Sequence, residues 1–446
     1  MKKTFIILIA IAWVSVANAQ GLQNLQANHI LDRFLNYVKI ESQSIDDPDP
    51  ELFTLTEGQK EMANYIFNEL KVIDKDNVAN IRMSPNCYVY VKVPSNIEKE
   101  VPSVMFMAHM DVTPEANAKG IRPQVHYNYD GGDIALGNGL VLSPNNPEGS
   151  HLKDVVGKTI ITTDGNTLLG ADCKAGCTIL VTLIEQMVND PDFKHGDVYF
   201  TFTQNEEVDK DVMGMDMSYF DRIPDIFIDV DGSYTYQYSV ANFTAEGRTY
   251  LFKGNQVHPA KGKAMKYADA RTAMAYFIGQ LPPEIHPSYS EGHQGYVHCY
   301  NMEILPNGHD VRIRVRIRYF DKADGERLKA DLDEAYRKTQ QAYPFVEIDL
   351  ENEELQYENI AYTMHPQVVG VIQRAAEKTG INMKGFDLRA GTTGASMVAK
   401  GLPGGPCLYG AQQASHSVYE WCCLEEMMDI ITLTHNIVVE VSKLEQ

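Results

Sequence analysis

The sequence lacks any long apolar segment that could cross a membrane. Its most apolar stretch, Phe5 to Val16, is shorter than the roughly 20 helical residues that a bilayer requires. Lys2-Lys3 precedes this stretch and Ala17-Asn18-Ala19 follows it, a pattern typical of a cleaved signal peptide. We therefore expect residues 1–19 to be a signal peptide and the mature protein to be exported, most simply to the periplasm; the alternative is a retained anchor.

Basic residues are fewer than acidic ones. The chain has 39 Lys and Arg against 60 Asp and Glu, which makes the formal net charge −21. Such an acidic surface repels nucleic acid and anionic lipid, so we expect neither a nucleic-acid partner nor a membrane partner after signal cleavage. The 446 residues are too many for one ordinary core, and two domains are expected.

Cysteine is sparse and irregularly placed. The seven cysteines form no C-x-x-C pair and no zinc-finger spacing. A chain of this length does not depend on disulfides for its stability, so buried free thiols are the expected state. The sequence also has no internal repeat and no low-complexity segment.

The order of predicted elements changes along the chain. Apolar runs and helical patterns alternate up to about residue 242 and return after residue 354, which predicts an α/β catalytic domain with a doubly wound mixed sheet. Between them, residues 243–354 follow the order β-α-β-β-α-β, typical of an inserted α+β ferredoxin-like lid domain. The predicted organisation is therefore a catalytic domain built from 20–242 and 355–446, interrupted by this insertion. Gly131 to Pro147 is expected to be a loop over the site.

Side chains that bind metals stand mainly at the ends of apolar runs. They are His109, Asp111, Asp172, Glu206, Glu207, Asp231 and His416. In an open α/β sheet, ligands bind beyond the carboxyl ends of the strands. Imidazole and carboxylate groups gathered there suit a pair of divalent ions, so the sequence predicts a two-metal hydrolase.

The local patterns suggest some roles and leave others open. Glu206 and Glu207 are adjacent and cannot both face one ion from an extended backbone, so one should bind metal while the other handles a proton. Asp172 begins a helix between glycines and could bridge two ions, although a helix cap is the simpler use of an acid there. Asp229 and Asp231 face the same way, and the pattern does not choose between them.

Several longer motifs resemble the M20 family of co-catalytic zinc peptidases, and within it the peptidase T group of tripeptide aminopeptidases. The motifs that carry the resemblance include Gly131-Gly-Asp-Ile-Ala-Leu-Gly137, Leu168-Leu-Gly-Ala-Asp172, Glu206-Glu-Val208, Val230-Asp231-Gly232, Val257-His258-Pro259 and Leu388-Arg389-Ala-Gly391. The resemblance covers essentially the whole mature chain.

The resemblance implies a cofactor of two Zn²⁺ per chain. His109 and Asp231 would hold one ion, Glu207 and His416 the other, and Asp172 would bridge them. The resemblance also implies a cis peptide bond between Asp172 and Cys173. The remaining implied roles are Glu206 as general base, Asp111 as the partner that orients His109, His258 of the inserted domain as oxyanion stabiliser, and Arg318 and Arg389 as contacts of the substrate carboxylate.

Some positions depart from the family pattern. Cys173 and Thr393 replace acids, Gln204-Asn205 replaces Pro-Asp, and Ser415 replaces Asn. No expected ligand or base is lost, so catalysis is expected while the preference for tripeptides is open. We therefore expect an exported di-zinc aminopeptidase that acts on short peptides and releases the N-terminal residue of tripeptides, with a homodimer as a possible assembly. The alternatives are a dipeptidase or carboxypeptidase of the same family, or a peptide-binding protein without turnover.

Overall fold

The computed structural model describes residues 26–47, 49 and 51–445. The predicted signal peptide, residues 1–19, lies outside these residues. The helices are α1 (26–38), α2 (Glu57–Ile73), α3 (Ala171–Asn189), α4 (Asp211–Gly214), α5 (Ala270–Gly279), α6 (Lys322–Ala342), α7 (Val368–Thr379), α8 (Thr393–Met397) and α9 (Leu424–Val441). None of these described helices combines the length and apolar character needed to span a bilayer.

The strands are β1 (Asn80–Met83), β2 (Val89–Val93), β3 (Val104–His109), β4 (Gln124–His126), β5 (Ile134–Ala135), β6 (Val141–Leu142), β7 (Ile160–Thr162), β8 (Val198–Thr203), β9 (Ile226–Gly232), β10 (Gln237–Asn242), β11 (Thr244–Lys253), β12 (Tyr296–Ile304), β13 (Val311–Tyr319), β14 (Glu347–Tyr357), β15 (Lys384–Leu388), β16 (Cys407–Tyr409), β17 (Gln412–Gln413) and β18 (Trp421–Cys423). The predicted loop at 131–147 therefore contains a short hairpin, β5 with β6.

The chain divides into two compact units. The larger unit contains the described residues up to Tyr238, together with Met364–Gly385 and residues 400–445. The smaller unit contains Ser239–Thr363 and Phe386–Ala399.

Strands β1-β2-β8-β3-β9-β16, in this order, form the core sheet of the larger unit. The sheet is mixed and has eight strands in all, because β10 and β15, which begin in this unit, follow β16. Its centre is parallel, because β3 pairs in parallel with both β8 and β9, and β16 pairs in parallel with β9. Every residue of β3 and β8 is buried, which explains why both strands are mostly apolar, with only His109, Thr201 and Thr203 as plainly polar members. Helix α3 packs against β3 and α9. The predicted α/β fold with a mixed sheet is confirmed.

A second sheet of the larger unit, in the order β17-β18-β7-β4, joins distant parts of the chain. Strand β18 pairs with β7, so that Trp421 lies opposite Thr162. This pairing brings the segment after His416 beside the segment that leads to Asp172. The C-terminal part of the chain is thereby placed against the beginning of α3.

The smaller unit has the order β-α-β-β-α-β and a four-stranded antiparallel sheet, β12-β13-β11-β14. Strand β13 alternates, and its buried side chains Val311, Ile313, Val315 and Ile317 join the core that α5 and α6 complete. The fold is the split βαβ arrangement expected for the insertion.

The bounds of the smaller unit are wider than the predicted insertion at 243–354. Strand β14 continues to Tyr357, and Asn359 then accepts from the backbone N–H of Asn242 at 3.1 Å. Arg389 donates to the Oγ of Ser290 at 2.7 Å, which ties the segment 386–399 to the same unit. These contacts join positions about 100 residues apart, and no local pattern announces them.

Candidate active site

The predicted metal-binding side chains meet at the carboxyl edge of the parallel strands in the larger unit. His109 ends β3, Asp231 lies at the end of β9, and Glu206 begins a short 3-10 helix just after β8. Parallel neighbours end at the same edge of a sheet, so residues more than 90 positions apart become neighbours.

One group of ligands surrounds the buried His109. Its Nε2 lies 3.1 Å from Oδ1 of Asp172 and 3.4 Å from Oδ1 of Asp231. Asp229, the alternative that the strand pattern left open, is buried nearby, but Asp231 supplies the carboxylate beside His109.

A second group surrounds His416. Its Nε2 lies 2.8 Å from Oε2 of Glu207 and 3.6 Å from Oδ2 of Asp172. The two oxygens of Asp172 therefore face different histidines, Oδ1 toward His109 and Oδ2 toward His416. This is the geometry that a bridging carboxylate needs. The peptide bond between Asp172 and Cys173 is cis, as predicted.

Asp111 organises both groups from a fully buried position. Nδ1 of His109 lies 3.0 Å from the carbonyl oxygen of Asp111 and 3.6 Å from its Oδ1. The same carboxylate accepts from the backbone N–H of Glu206 at 3.2 Å and of Glu207 at 3.3 Å. Asp111 thus contacts the ring nitrogen that points away from the cluster and also holds the turn that carries the two glutamates.

The two adjacent glutamates have different surroundings. The side chain of Glu207 is 3% exposed, and its Oε1 is buried with no hydrogen-bond partner among the described residues. The side chain of Glu206 is 26% exposed, with Oε2 3.7 Å from Nε2 of His109. A buried oxygen without a partner suits a metal ligand, whereas a more accessible carboxylate suits proton transfer.

The electrostatics of the cluster favour bound cations. Burial raises the pKa of Glu206 well above its usual value and that of Glu207 to about 7. Burial also raises the pKa of Asp231. The hydrogen bond with Glu207 raises the pKa of His416 to about 9. Crowded, buried carboxylates beside two imidazoles are the charge balance that divalent ions neutralise, so the donor set fits two metal ions.

The remaining predicted residues belong to the smaller unit. His258 is exposed, and its Nδ1 accepts from the backbone N–H of Ala260 at 3.3 Å. Arg318 donates to Oε1 of Gln356 at 3.0 Å, and Arg389 donates to Ser290. Their proposed contacts with substrate stay predictions.

Sequence reasoning missed two residues around the cluster, Glu115 and Glu420, and noted Cys173 only as the replacement of an acid. Glu115 lies with Oε2 3.0 Å from Nδ1 of His416, on the side of the ring away from Glu207. The buried Glu420 accepts three backbone hydrogen bonds from the segment that carries Asp172. Cys173 lies close enough to His109 and Asp231 for all three to offer atoms within 4.8 Å of one another, although its thiol donates to the carbonyl of Val230. No motif marks Glu115 or Glu420, because each acts through contacts between distant segments.

Comparison with known proteins identifies the family. The model of peptidase family M20/M25/M40 matches residues 160–440. Peptidase T of Geobacillus sp. (strain WCH70) is 33% identical over 94% of this chain and 98% of its own length. The chain belongs to the M20/M25/M40 peptidase family. Peptidase T of Bacillus subtilis (strain 168) is 31% identical over 93% of this chain and 98% of its own.

Solved structures agree with the fold of this M20 family member. Aminopeptidase PepT from Bacillus cereus has a TM-score of 0.69 at 19% identity and covers 94% of this chain and 99% of that one. A dinuclear metal-binding peptidase of the M20 family from Bacillus subtilis has a TM-score of 0.59 at 11% identity, with 93% and 99% covered. The predictions of the family, of its fold and of a peptidase enzyme are confirmed.

Proposed function

We propose that this M20 peptidase is an exported di-zinc aminopeptidase that releases the N-terminal residue of short peptides, tripeptides above all. The observation that carries the proposal is the pair of ligand groups that share Asp172, with Glu206 beside them in a more accessible position. The relatives named peptidase T support the choice of an aminopeptidase.

His109 and Asp231 would hold one ion, and His416 and Glu207 the other, with one oxygen of Asp172 for each. Two imidazoles and several carboxylates suit zinc. When bound, the ions polarise the scissile carbonyl and increase the acidity of the attacking water. Asp111 would keep His109 in one tautomer, because its carbonyl and carboxylate oxygens lie beside Nδ1.

Glu206 would move the proton. Its side chain is about a quarter exposed, which leaves the carboxylate accessible to an attacking water. It would take a proton from the attacking water and deliver it to the nitrogen of the leaving peptide. Its neighbour Glu207, with Oε2 2.8 Å from Nε2 of His416, would have to leave the proposed metal ion to do the same.

The residues of the smaller unit would serve the substrate. His258 would donate a hydrogen bond to the developing oxyanion, and Arg318 and Arg389 would pair with the C-terminal carboxylate of a short peptide. A homodimer remains part of the proposal.

The decisive experiment is a specificity assay on the purified protein. Di-, tri- and tetrapeptides would be tested after chelation and again after zinc is restored, with an N-acetylated tripeptide as the matched control. We expect zinc-dependent release of the first residue, fastest from tripeptides, and no cleavage of the blocked peptide. Fastest cleavage of dipeptides, or release of the C-terminal residue, would favour the dipeptidase or carboxypeptidase alternative; binding without cleavage would favour the non-catalytic one.

Export needs its own test. Cell fractionation followed by N-terminal sequencing should find the mature protein outside the cytoplasm with Gln20 as its first residue. An unprocessed chain that begins at Met1 and remains in the cytoplasm would contradict export and leave the peptidase proposal intact.

A further inference from the structure

Glu420 is a buried acid in the turn before β18, only 1% exposed. Its Oε2 accepts from the backbone N–H groups of Leu169 and Gly170, each at 2.7 Å. Its Oε1 accepts from the backbone N–H of Asp172 at 2.9 Å. One carboxylate therefore holds three amide groups of the segment that begins α3 and presents Asp172.

This segment needs an external acceptor. The first N–H groups of a helix have no partner within the helix, and Gly170, the residue before α3, provides no side-chain cap. Gly170 also has a φ of 81°, and Asp172 itself has non-helical backbone angles, so regular helical hydrogen bonding does not hold this stretch. A carboxylate at a helix N-terminus is electrostatically favourable as well. Glu420 supplies what the local sequence lacks.

Glu420 also belongs to the segment that carries His416, four residues earlier. Its backbone N–H donates to the carbonyl of Ser417 at 3.3 Å, and the Ser417 hydroxyl donates to the carbonyl of Ala414 at 2.7 Å. The turn that contains His416 is therefore connected through Glu420 to the segment that contains Asp172. The Glu420 carboxylate itself contacts the backbone N–H groups of Leu169, Gly170 and Asp172. Its role therefore differs from that of a metal ligand.

We propose that Glu420 is a positioning residue for the metal centre. By holding the backbone from Leu169 to Asp172, it directs one oxygen of Asp172 toward His109 and the other toward His416. The inference rests on the proposed metal centre and not on the peptide preference. Because Asp172 belongs to both groups, loss of this support should lower the affinity for both metal ions. Loss of a residue from one group should lower the affinity for one ion only.

The test compares Glu420→Gln with Glu426→Gln. Glu426 is also 1% exposed in the same unit and accepts from the Tyr409 hydroxyl at 2.6 Å, but its charged partners are His151 and Lys158 rather than the Asp172 segment. Zinc affinity would be measured by chelator competition, ligand geometry by the absorption spectrum of the cobalt-substituted protein, and apo-protein stability by melting temperature. We expect Glu420→Gln to bind both ions about 10- to 100-fold more weakly with an altered cobalt spectrum. Glu426→Gln should retain wild-type affinity and spectrum.

Wild-type affinity and spectrum in folded Glu420→Gln would overturn the proposal, and so would an equal loss of affinity in Glu426→Gln. If Glu420→Gln does not fold, Glu420→Asp replaces it, since the shorter carboxylate keeps the charge and reaches fewer of the three amides. Wild-type metal affinity in that variant would equally refute the positioning role. Failure of the wild-type protein to bind zinc would instead contradict the metal centre itself, and cleavage specificity does not enter any of these measurements.

Discussion

Exchange of the two adjacent glutamates for glutamine separates proton transfer from metal binding. Glu206→Gln and Glu207→Gln each remove one negative charge and change almost no volume, so each is the control for the other. Glu207 is buried, 2.8 Å from Nε2 of His416, with one oxygen that has no partner among the described residues. Glu206 is about a quarter exposed, with its carboxylate 3.7 Å from His109.

These positions set the expected magnitudes. Loss of a general base lowers turnover by about 10²–10⁴-fold, which corresponds to about 3–5 kcal/mol of transition-state stabilisation. Glu206→Gln should therefore lower kcat by that amount and retain two ions per chain. Glu207→Gln should lower the affinity for one ion by about 100-fold or more. Loss of a residue that only hydrogen-bonds to a metal ligand already lowers metal affinity by about 10–100-fold, and loss of the ligand itself should cost at least as much.

The assay combines metal stoichiometry, measured by elemental analysis after dialysis against a chelator, with steady-state kinetics on a tripeptide. Added zinc should restore activity to Glu207→Gln and leave Glu206→Gln inactive. The opposite pattern, in which Glu206→Gln loses an ion while Glu207→Gln keeps both, would reverse the assigned roles and refute the argument from burial.

Three further outcomes follow from the geometry. His258→Ala should lower kcat by about 10²–10³-fold with unchanged zinc content. His286→Ala is the control: it loses a similar hydrogen bond from a backbone N–H to histidine Nδ1 and should keep wild-type turnover. Equal turnover in the two variants would contradict the oxyanion role of His258. Glu115→Gln should lower the affinity for zinc about 10-fold, as measured by chelator competition, because it removes the charged partner of His416 Nδ1. Burial raises the pKa of Glu440, but hydrogen bonds from three basic side chains outweigh it and lower that pKa from 4.5 to about 2, so Glu440→Gln should cost about 2 kcal/mol at pH 7 in urea unfolding. Because the folded pKa is depressed, this difference should shrink as the pH falls from about 5 to 2; a constant difference would contradict the ionic origin.

Much of the α/β architecture could be predicted because it has local causes. The runs that became β3 and β8 are mostly apolar, apart from His109, Thr201 and Thr203, because both faces of these strands are covered. Strict alternation in β13 predicted a sheet with one face on a core, which the smaller unit has. Its wider bounds were not predictable, since contacts such as Asn359 with Asn242 join positions far apart in the chain.

Some features of the candidate site could likewise be predicted from the sequence, and others could not. Most of its acids and histidines follow strand ends, so the sequence alone determined that these would gather at one edge of a parallel sheet. Periodicity did not choose between Asp229 and Asp231, nor between Glu206 and Glu207. The tertiary structure places Asp231 beside His109 and Glu207 beside His416, as the family resemblance implied. It also decided the place of Glu420, whose bonds span about 250 residues. Periodicity reports which way a side chain faces, but the partner it meets depends on how distant segments pack, and no local pattern contains that information.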